Sequence, residues 1–423
     1  WAQLSVTVYL LSILAGMALT TAFVRFFSSK TDKKEISKGF FSIFFFVAIL
    51  SLVIISTLFV FSGSISLFLF KTSIYSTLVQ ITSFLIVLNA LYLVVTFYFR
   101  IYRQMLVYTG LTVFASVGQF VFTIFLLVFF GYGILGVVIS SLISYFVPLV
   151  LGLGIIIKQV GFSLPSFSDL QKYLRFSLPL APSSLTKWIT DSSDRYIVGF
   201  ILGTVTVGVY SAAYTIGNLV YIFVMPLQII LFPQLSILFD RGELGEVKTY
   251  ISYSLKFFLL ISVPSVIGLA VISKQLLILL TTIQFTNGSM VIPLVAVSAV
   301  FAGIFQIIIN IPILYKKTKY NFWIQVLSAL LNIVLNFILI PFIGIIGAAI
   351  ATLFAYFLMS VTAYIISKKF MQFKIDIVFT SKIILSSILM GLIIFLLREK
   401  INLIFQVLLE IITYFVFCYV FKI

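Results

Sequence analysis

The feature that most restricts this chain is a succession of apolar segments, each close to the length a helix needs to cross a bilayer, joined by short connectors. A spanning helix takes about 20 apolar residues. Such stretches fall at 1–27, 39–62, 72–98, 104–130, 134–157, 177–202, 207–237, 250–273, 289–314, 320–341, 344–367, 378–397 and 402–421. In hydrocarbon only helices and closed barrels satisfy their own backbone groups, and long apolar runs without alternation predict helices. The expected fold class is therefore an all-α polytopic membrane protein with thirteen visible spans. Composition agrees, with 62% of the 423 residues apolar and 9% charged. No polar stretch is long enough to form a separate soluble domain.

The formal net charge is +16, and the placement of the cations explains it. They gather in alternate connectors and the adjoining span ends: Lys30, Lys33, Lys34 and Lys38; Arg100 and Arg103; Lys158, Lys172 and Arg175; Arg241 and Lys248; Lys316, Lys317 and Lys319; Lys368 and Lys369. Cytoplasmic loops carry such an excess of Lys and Arg, so these connectors and the C-terminus are expected to face the cytoplasm across the plasma membrane. The basic balance is then a topology signal, and no nucleic-acid partner is implied. There is no histidine and one cysteine, Cys418, which excludes metal sites of the His/Cys kind and a disulfide framework. Without histidine no nucleophile–base pair can be built, and no phosphate-cradling P-loop is present. No catalytic residue, metal or cofactor is expected, and the chain does not read as an enzyme.

An internal repeat organises the spans. GILGVVISSLISY (133–145) matches GIIGAAIATLFAY (344–356), 211 residues later. The same offset brings the second span onto the one beginning at 250, and the fourth and fifth close to those beginning at 320 and 344. The segment at 177–202 has no partner in the first half, so one helix is expected to precede residue 1. This gives fourteen spans, as six plus six plus two. The expected domains are an N-lobe lacking its first helix (1–157), a cytoplasmic interfacial linker (158–176), a C-lobe (177–367) and two additional C-terminal helices (368–423). Repeats of six spans keep one orientation and predict a site between the halves. In the linker, Ser168 and Asp169 are placed to cap a short helix with Leu170, Tyr173 and Leu174 on one face.

The segment 175–203, RFSLPLAPSSLTKWITDSSDRYIVGFILG, has the length of a span yet carries Lys187, Asp191, Asp194 and Arg195. A Lys, Arg or Asp at a helix centre in hydrocarbon costs roughly 2.5–3.5 kcal/mol even on lenient scales. Lys187, Asp191 and Arg195 recur at i, i+4 and i+8 and share a helix face. Pro179 and Pro182 loosen the first turns. Two readings fit: a water-filled substrate path, or a buried ion-pair ladder that locks helix packing. Arg25 and Arg100 end the first and third visible spans. They either snorkel to lipid headgroups or hold phosphate in bidentate fashion. Glu410 is an acid near the middle of the last span, either protonated and packed or part of a proton relay. Asn89, Gln119, Asn218, Asn310, Asn332 and Asn336 are polar positions within spans, suited to interhelical hydrogen bonds or to sugar hydroxyls.

The stretch SLPLAPSSLTKWITDSSDRYIVGFILGTVTVGVYSAAYTIGNLVYIFVMPLQIILFPQLSILFDRGE resembles the oligosaccharide flippases of the multidrug/oligosaccharidyl-lipid/polysaccharide exporter (MOP) superfamily. The repeated GYGILG and FIGIIG turns and the run ALTTAFVRFFSSKTDKKEIS fit the same family, and the Asp194–Arg195 pair with its flanks is the most specific part. The resemblance implies two six-helix, MATE-like lobes around a V-shaped, cationic central cavity. It implies a flippase that turns a polyprenyl-pyrophosphate-linked oligosaccharide from the inner to the outer leaflet by alternating access. Arg25 and the cations of the charged helix would line that cavity. Expected partners are the lipid-linked oligosaccharide, the bilayer, and a glycan polymerase or glycosyltransferases of the same pathway. A cation-coupled multidrug exporter of the same superfamily is the alternative, but the first half has no intramembrane acid. A membrane glycan polymerase or glycosyltransferase would need a large catalytic loop, whereas the one acidic cluster, Asp240, Glu243 and Glu246, lies in a short connector.

Overall fold

The computed structural model describes residues 1–27, 30–373, 376–398 and 401–423, with the side chains of 167–169 outside that set. The expected cap at Ser168 and Asp169 therefore lies outside the described residues. All regular structure among the described residues is helical. The helices are α1 (Ala2–Gly16), α2 (Leu19–Phe27), α3 (Lys33–Val60), α4 (Ser62–Phe70), α5 (Ser76–Ile101), α6 (Met105–Val128), α7 (Gly133–Val160), α8 (Phe167–Ser177) and α9 (Ala181–Ser192). They continue as α10 (Asp194–Leu202), α11 (Thr204–Gly217), α12 (Met225–Asp240), α13 (Leu244–Leu280), α14 (Val291–Ile308), α15 (Asn310–Leu314), α16 (Lys319–Ile343), α17 (Ile345–Lys368), α18 (Ile377–Leu397) and α19 (Leu403–Val420). Eleven spans among the described residues are long and apolar enough to cross a membrane, twelve when α1 and α2, bent by 42°, count as one. The chain forms two compact units, 1–188 and 189–423.

Boundaries depart from the apolar runs where polar residues cap or break a helix. The span expected from 39 begins at Lys33, because the Asp32 carboxylate accepts the Lys34 amide at 3.1 Å and starts the helix among the lysines. Residues expected to link the second and third spans form α4, which ends at Lys71 in the left-handed region (φ 60°). The span expected at 250–273 is the 37-residue α13. In the linker, Leu170 and Tyr173 of α8 are buried, with the Tyr173 ring 5.4 Å from Phe26 and 5.6 Å from Phe27 of α2.

The repeated sequence folds alike in the two units. Gly133 (φ +53°) and Gly344 (φ +61°) take a backbone conformation that L side chains rarely adopt, so each turn between antiparallel spans can be tight. Three residues on, Gly136 lies where a Cβ would come within 3.2 Å of Leu126 on α6, and Gly347 where one would come within 2.7 Å of the Leu339 backbone on α16. The pairs α6–α7 and α16–α17 thus each close on the corresponding glycine of the repeat.

Prolines inside spans free a carbonyl one turn back, and in hydrocarbon that carbonyl needs another donor. Pro264 sits within α13 and frees the carbonyl of Leu260, which accepts the Tyr414 hydroxyl of α19 at 2.7 Å. Pro312 of α15 frees the Ile308 carbonyl, which accepts the Ser367 hydroxyl of α17 at 3.2 Å. Both bonds tie neighbouring helices at a proline. The Tyr414→Phe variant is expected to lose about 1–3 kcal/mol of stability, the cost of an unpaired buried carbonyl. In a double-mutant cycle read by thermal unfolding, that loss should shrink in a Pro264→Ala background, where an amide becomes available to Leu260. Equal losses in both backgrounds would refute the link.

The connector before α18 is fastened by charge. Asp376 caps α18 by accepting the Phe379 amide at 3.0 Å and pairs with Lys256 of α13 at 2.7 Å. The hydrogen bond from Lys256, helped by the Phe379 amide, lowers the Asp376 carboxyl below its ordinary value of 3.8. A lowered native value means that the stabilisation is complete above the ordinary carboxylate range and is lost as pH falls through the native value. The Asp376→Ala variant should therefore unfold at lower temperature than the native protein near neutrality, with the gap closing as the buffer is taken below pH 3.8.

Candidate functional site

The charged segment is two short helices in series. A 3-10 turn at Leu178–Leu180 containing Pro179 leads into α9, with Pro182 at its second position. At 1.5 Å per residue α9 and α10 run about 18 and 14 Å, so together they match a bilayer and singly they do not. The ladder changes at Ser193, whose carbonyl accepts both the Tyr196 amide at 3.0 Å and the Ile197 amide at 3.3 Å.

That break explains where the charges go. In an unbroken helix the Arg195 amide would pair with the Asp191 carbonyl. Here the Arg195 amide donates to the Asp194 carboxylate at 2.8 Å, and the Asp191 carbonyl accepts the Arg195 guanidinium, also at 2.8 Å. The same guanidinium nitrogen lies 3.1 Å from Asp194 Oδ1. Asp194 and Arg195 are both buried. Tyr210 of α11 donates its hydroxyl to the other Asp194 oxygen. The Arg195 guanidinium also lies over the Tyr214 ring, 4.3 Å from its centroid. Tyr356 of α17 donates to the Asp191 carboxylate. Beside them, the Asn336 amide donates to Asn332 Oδ1 at 2.9 Å, and Asn332 reaches Thr352 at 3.4 Å.

The structure therefore brings together Asp191, Asp194 and Arg195 and adds Tyr210, Tyr214 and Tyr356, which the sequence reading did not single out. Their signal was a set of aromatic hydroxyls at span positions of a chain rich in tyrosine. The choice among them depends on the relative rotation of separate helices, which a linear pattern does not carry. Lys187 is exposed on α9, and Arg195 on α10 is buried. Asn218 is exposed at the start of the 3-10 stretch Asn218–Val224. In the first unit Arg25 is exposed in the last turn of α2 and Arg100 in the last turn of α5, its guanidinium 5.6 Å from the Phe97 ring centroid. Glu410 is half-buried in α19.

An enclosed ion pair is costly to disrupt from one side. Arg195→Ala leaves the Asp194 carboxylate buried without its cation and is expected to cost about 3–5 kcal/mol. A neutral double replacement, Asp194→Asn with Arg195→Gln, should cost less than the sum of the single changes, as read from melting of the detergent-solubilised protein. Strict additivity would show that the two groups act independently.

Comparison with known proteins adds four observations. Residues 1–290 match the family described as polysaccharide biosynthesis protein. The probable low-salt glycan biosynthesis flippase Agl15 of Haloferax volcanii is 27% identical over 278 residues, which is 63% of this chain and 57% of that relative. The chain thus spans little more than half the length of that relative. Among solved structures, the lipid II flippase MurJ in its inward closed conformation superposes with a TM-score of 0.83 at 21% identity, covering 98% of this chain and 89% of that one. An inward-facing multidrug resistance MATE family transporter of the MOP superfamily gives 0.72 at 16% identity, covering 86% and 88%. At these identities the two structures establish the fold, and the family rests on the sequence match. The chain is a multi-pass membrane protein that belongs to the polysaccharide biosynthesis protein family and carries the fold of the MOP transporters.

Proposed function

We propose that this protein is a flippase for a polyprenyl-pyrophosphate-linked oligosaccharide, carrying it from the inner to the outer leaflet of the plasma membrane by alternating access. In this reading the Lys-rich connectors and the C-terminus lie in the cytoplasm. Family membership and the names of the relatives support a transporter of glycan precursors. The observation that carries the reading is α9. Among helices built for hydrocarbon, it bears part-exposed hydroxyls at Ser183, Ser184 and Thr186 and an exposed lysine, Lys187, seven residues before a charge-compensated pair. Such a surface is disfavoured against lipid and suited to a wet, polar path.

The cargo explains the need. Each sugar hydroxyl moved into hydrocarbon without a partner costs several kcal/mol, on the order of 4–8 against an alkane. A path with exposed cations and amides removes that cost for the head group while the polyprenyl tail stays in the bilayer. Lys187, Arg25 and Arg100 supply charge for the pyrophosphate, and Asn218 supplies an amide for sugar. Asp194 and Arg195, turned on each other, hold α10 against α11 and keep the polar segment in place. Among the described side chains of the first unit the carboxylates are Asp32, which caps α3, and Glu35 in its first turn, paired with Lys30 at 3.0 Å, so neither lies at mid-span. That counts against a cation-coupled drug exporter.

The test uses the purified chain in vesicles with a fluorescent polyprenyl-pyrophosphate oligosaccharide, following the fraction protected from an external quencher. A charge-assisted contact is worth about 1.5–3 kcal/mol, so Lys187→Ala should slow flipping about tenfold or more, and Lys187→Arg should restore part of the rate. Vesicles in which the native protein flips nothing, or a Lys187→Ala variant as fast as the native chain, would defeat the proposal.

A further inference from the structure

Away from the charged segment, α13, α18 and α19 line a cavity of about 210 Å³. This exceeds the roughly 150 Å³ apolar cavity that takes up benzene. Its wall is almost wholly apolar, formed by residues such as Ile261 and Pro264 of α13, Met390 of α18 and Phe415 of α19. Two features set it apart from a packing defect. Glu410 lines it, and Glu410 Oε1 is buried with no hydrogen-bond partner among the described residues. The carboxylate rests on Gly268, where even a Cβ would lie 2.6 Å from Oε2, so the absence of a side chain on α13 is what admits it.

The neighbouring Tyr414 cannot satisfy the acid, because its hydroxyl is committed to the Leu260 carbonyl freed by Pro264. The Ser265 hydroxyl is likewise committed, to the Ile261 carbonyl at 2.7 Å. No lysine or arginine is among the residues that line the cavity. On the rim, Ile411 and Phe415 are 50% and 64% exposed on a spanning helix, so the cavity opens toward the acyl chains.

A room-sized apolar space with a single unpartnered acid matches one class of ligand, a compact apolar body bearing one ammonium group. The body fills the void and the ammonium supplies the donor that Glu410 lacks, with the Tyr414 and Phe415 rings at hand for cation–π contact. Metal cations are poorly served, since they need several oxygen ligands and the hydroxyls are already committed. We propose that the α13–α18–α19 cavity is a binding site for a lipophilic monoammonium compound that enters from the membrane and pairs with Glu410. The site is separate from the cations assigned to glycan translocation, so the proposal stands or falls independently of the cargo.

The probe is 1-aminoadamantane, with 1-adamantanol as its uncharged counterpart. Calorimetric titration of the full chain in phosphatidylcholine nanodiscs, with empty nanodiscs subtracted, measures both ligands. The amine is expected to bind native protein at least tenfold more tightly than the alcohol. Glu410→Gln, which keeps the shape and removes the charge, should erase that preference while leaving alcohol binding unchanged. The alcohol binding native protein as tightly as the amine, amine affinity unaltered in Glu410→Gln, or no amine binding to native protein would each overturn the proposal. The comparison of two ligands on native protein needs no variant and so holds even if the substitution disturbs folding.

Discussion

In a hydrocarbon solvent a polar group has no water to fall back on, and each donor, acceptor or charge must find its partner inside the chain. This single demand accounts for the main features of the fold. It makes every described element a helix and places glycines where two helices must nearly touch. It also sends hydroxyls across to neighbouring helices wherever a proline removes an amide. At Leu260 and Ile308 the missing donors are replaced by Tyr414 and Ser367. In each case the repair doubles as a clasp between elements far apart in sequence.

The pair Asp194–Arg195 follows the same rule at a higher stake. The break at Ser193 frees an amide and a carbonyl, and the two adjacent charged side chains take one each. The ion pair therefore repairs the helix that carries it, and Tyr210 and Tyr214 of α11 then enclose it. The outcome is a buried, charge-compensated couple.

Much of this was legible in the amino acids. The run of spanning-length apolar segments gave the helical class, and the match between residues 133–145 and 344–356 gave two hairpins with a glycine at positive φ, Gly133 and Gly344, at each turn. What escaped were features that depend on local polar chemistry or on rotation. The start of α3 lies among lysines because Asp32 caps it, which an apolar window ignores. Helix α4 sits where only a connector was expected, since its serines interrupt hydropathy without interrupting a helix. The tyrosines facing Asp191 and Asp194 come from α11 and α17, and no pattern within one segment reveals which ring on another helix turns inward.

The neutrality of the Asp194–Arg195 couple bears on how the protein responds to membrane voltage. Moving one elementary charge through 100 mV exchanges about 2.3 kcal/mol with the field, whereas opposite charges on adjacent residues shift together and their contributions nearly cancel. Helix α10 can tilt or slide without acting as a voltage sensor. Any electrical work in the cycle must then be done on charges outside this couple, which makes gating current a direct gauge of what travels.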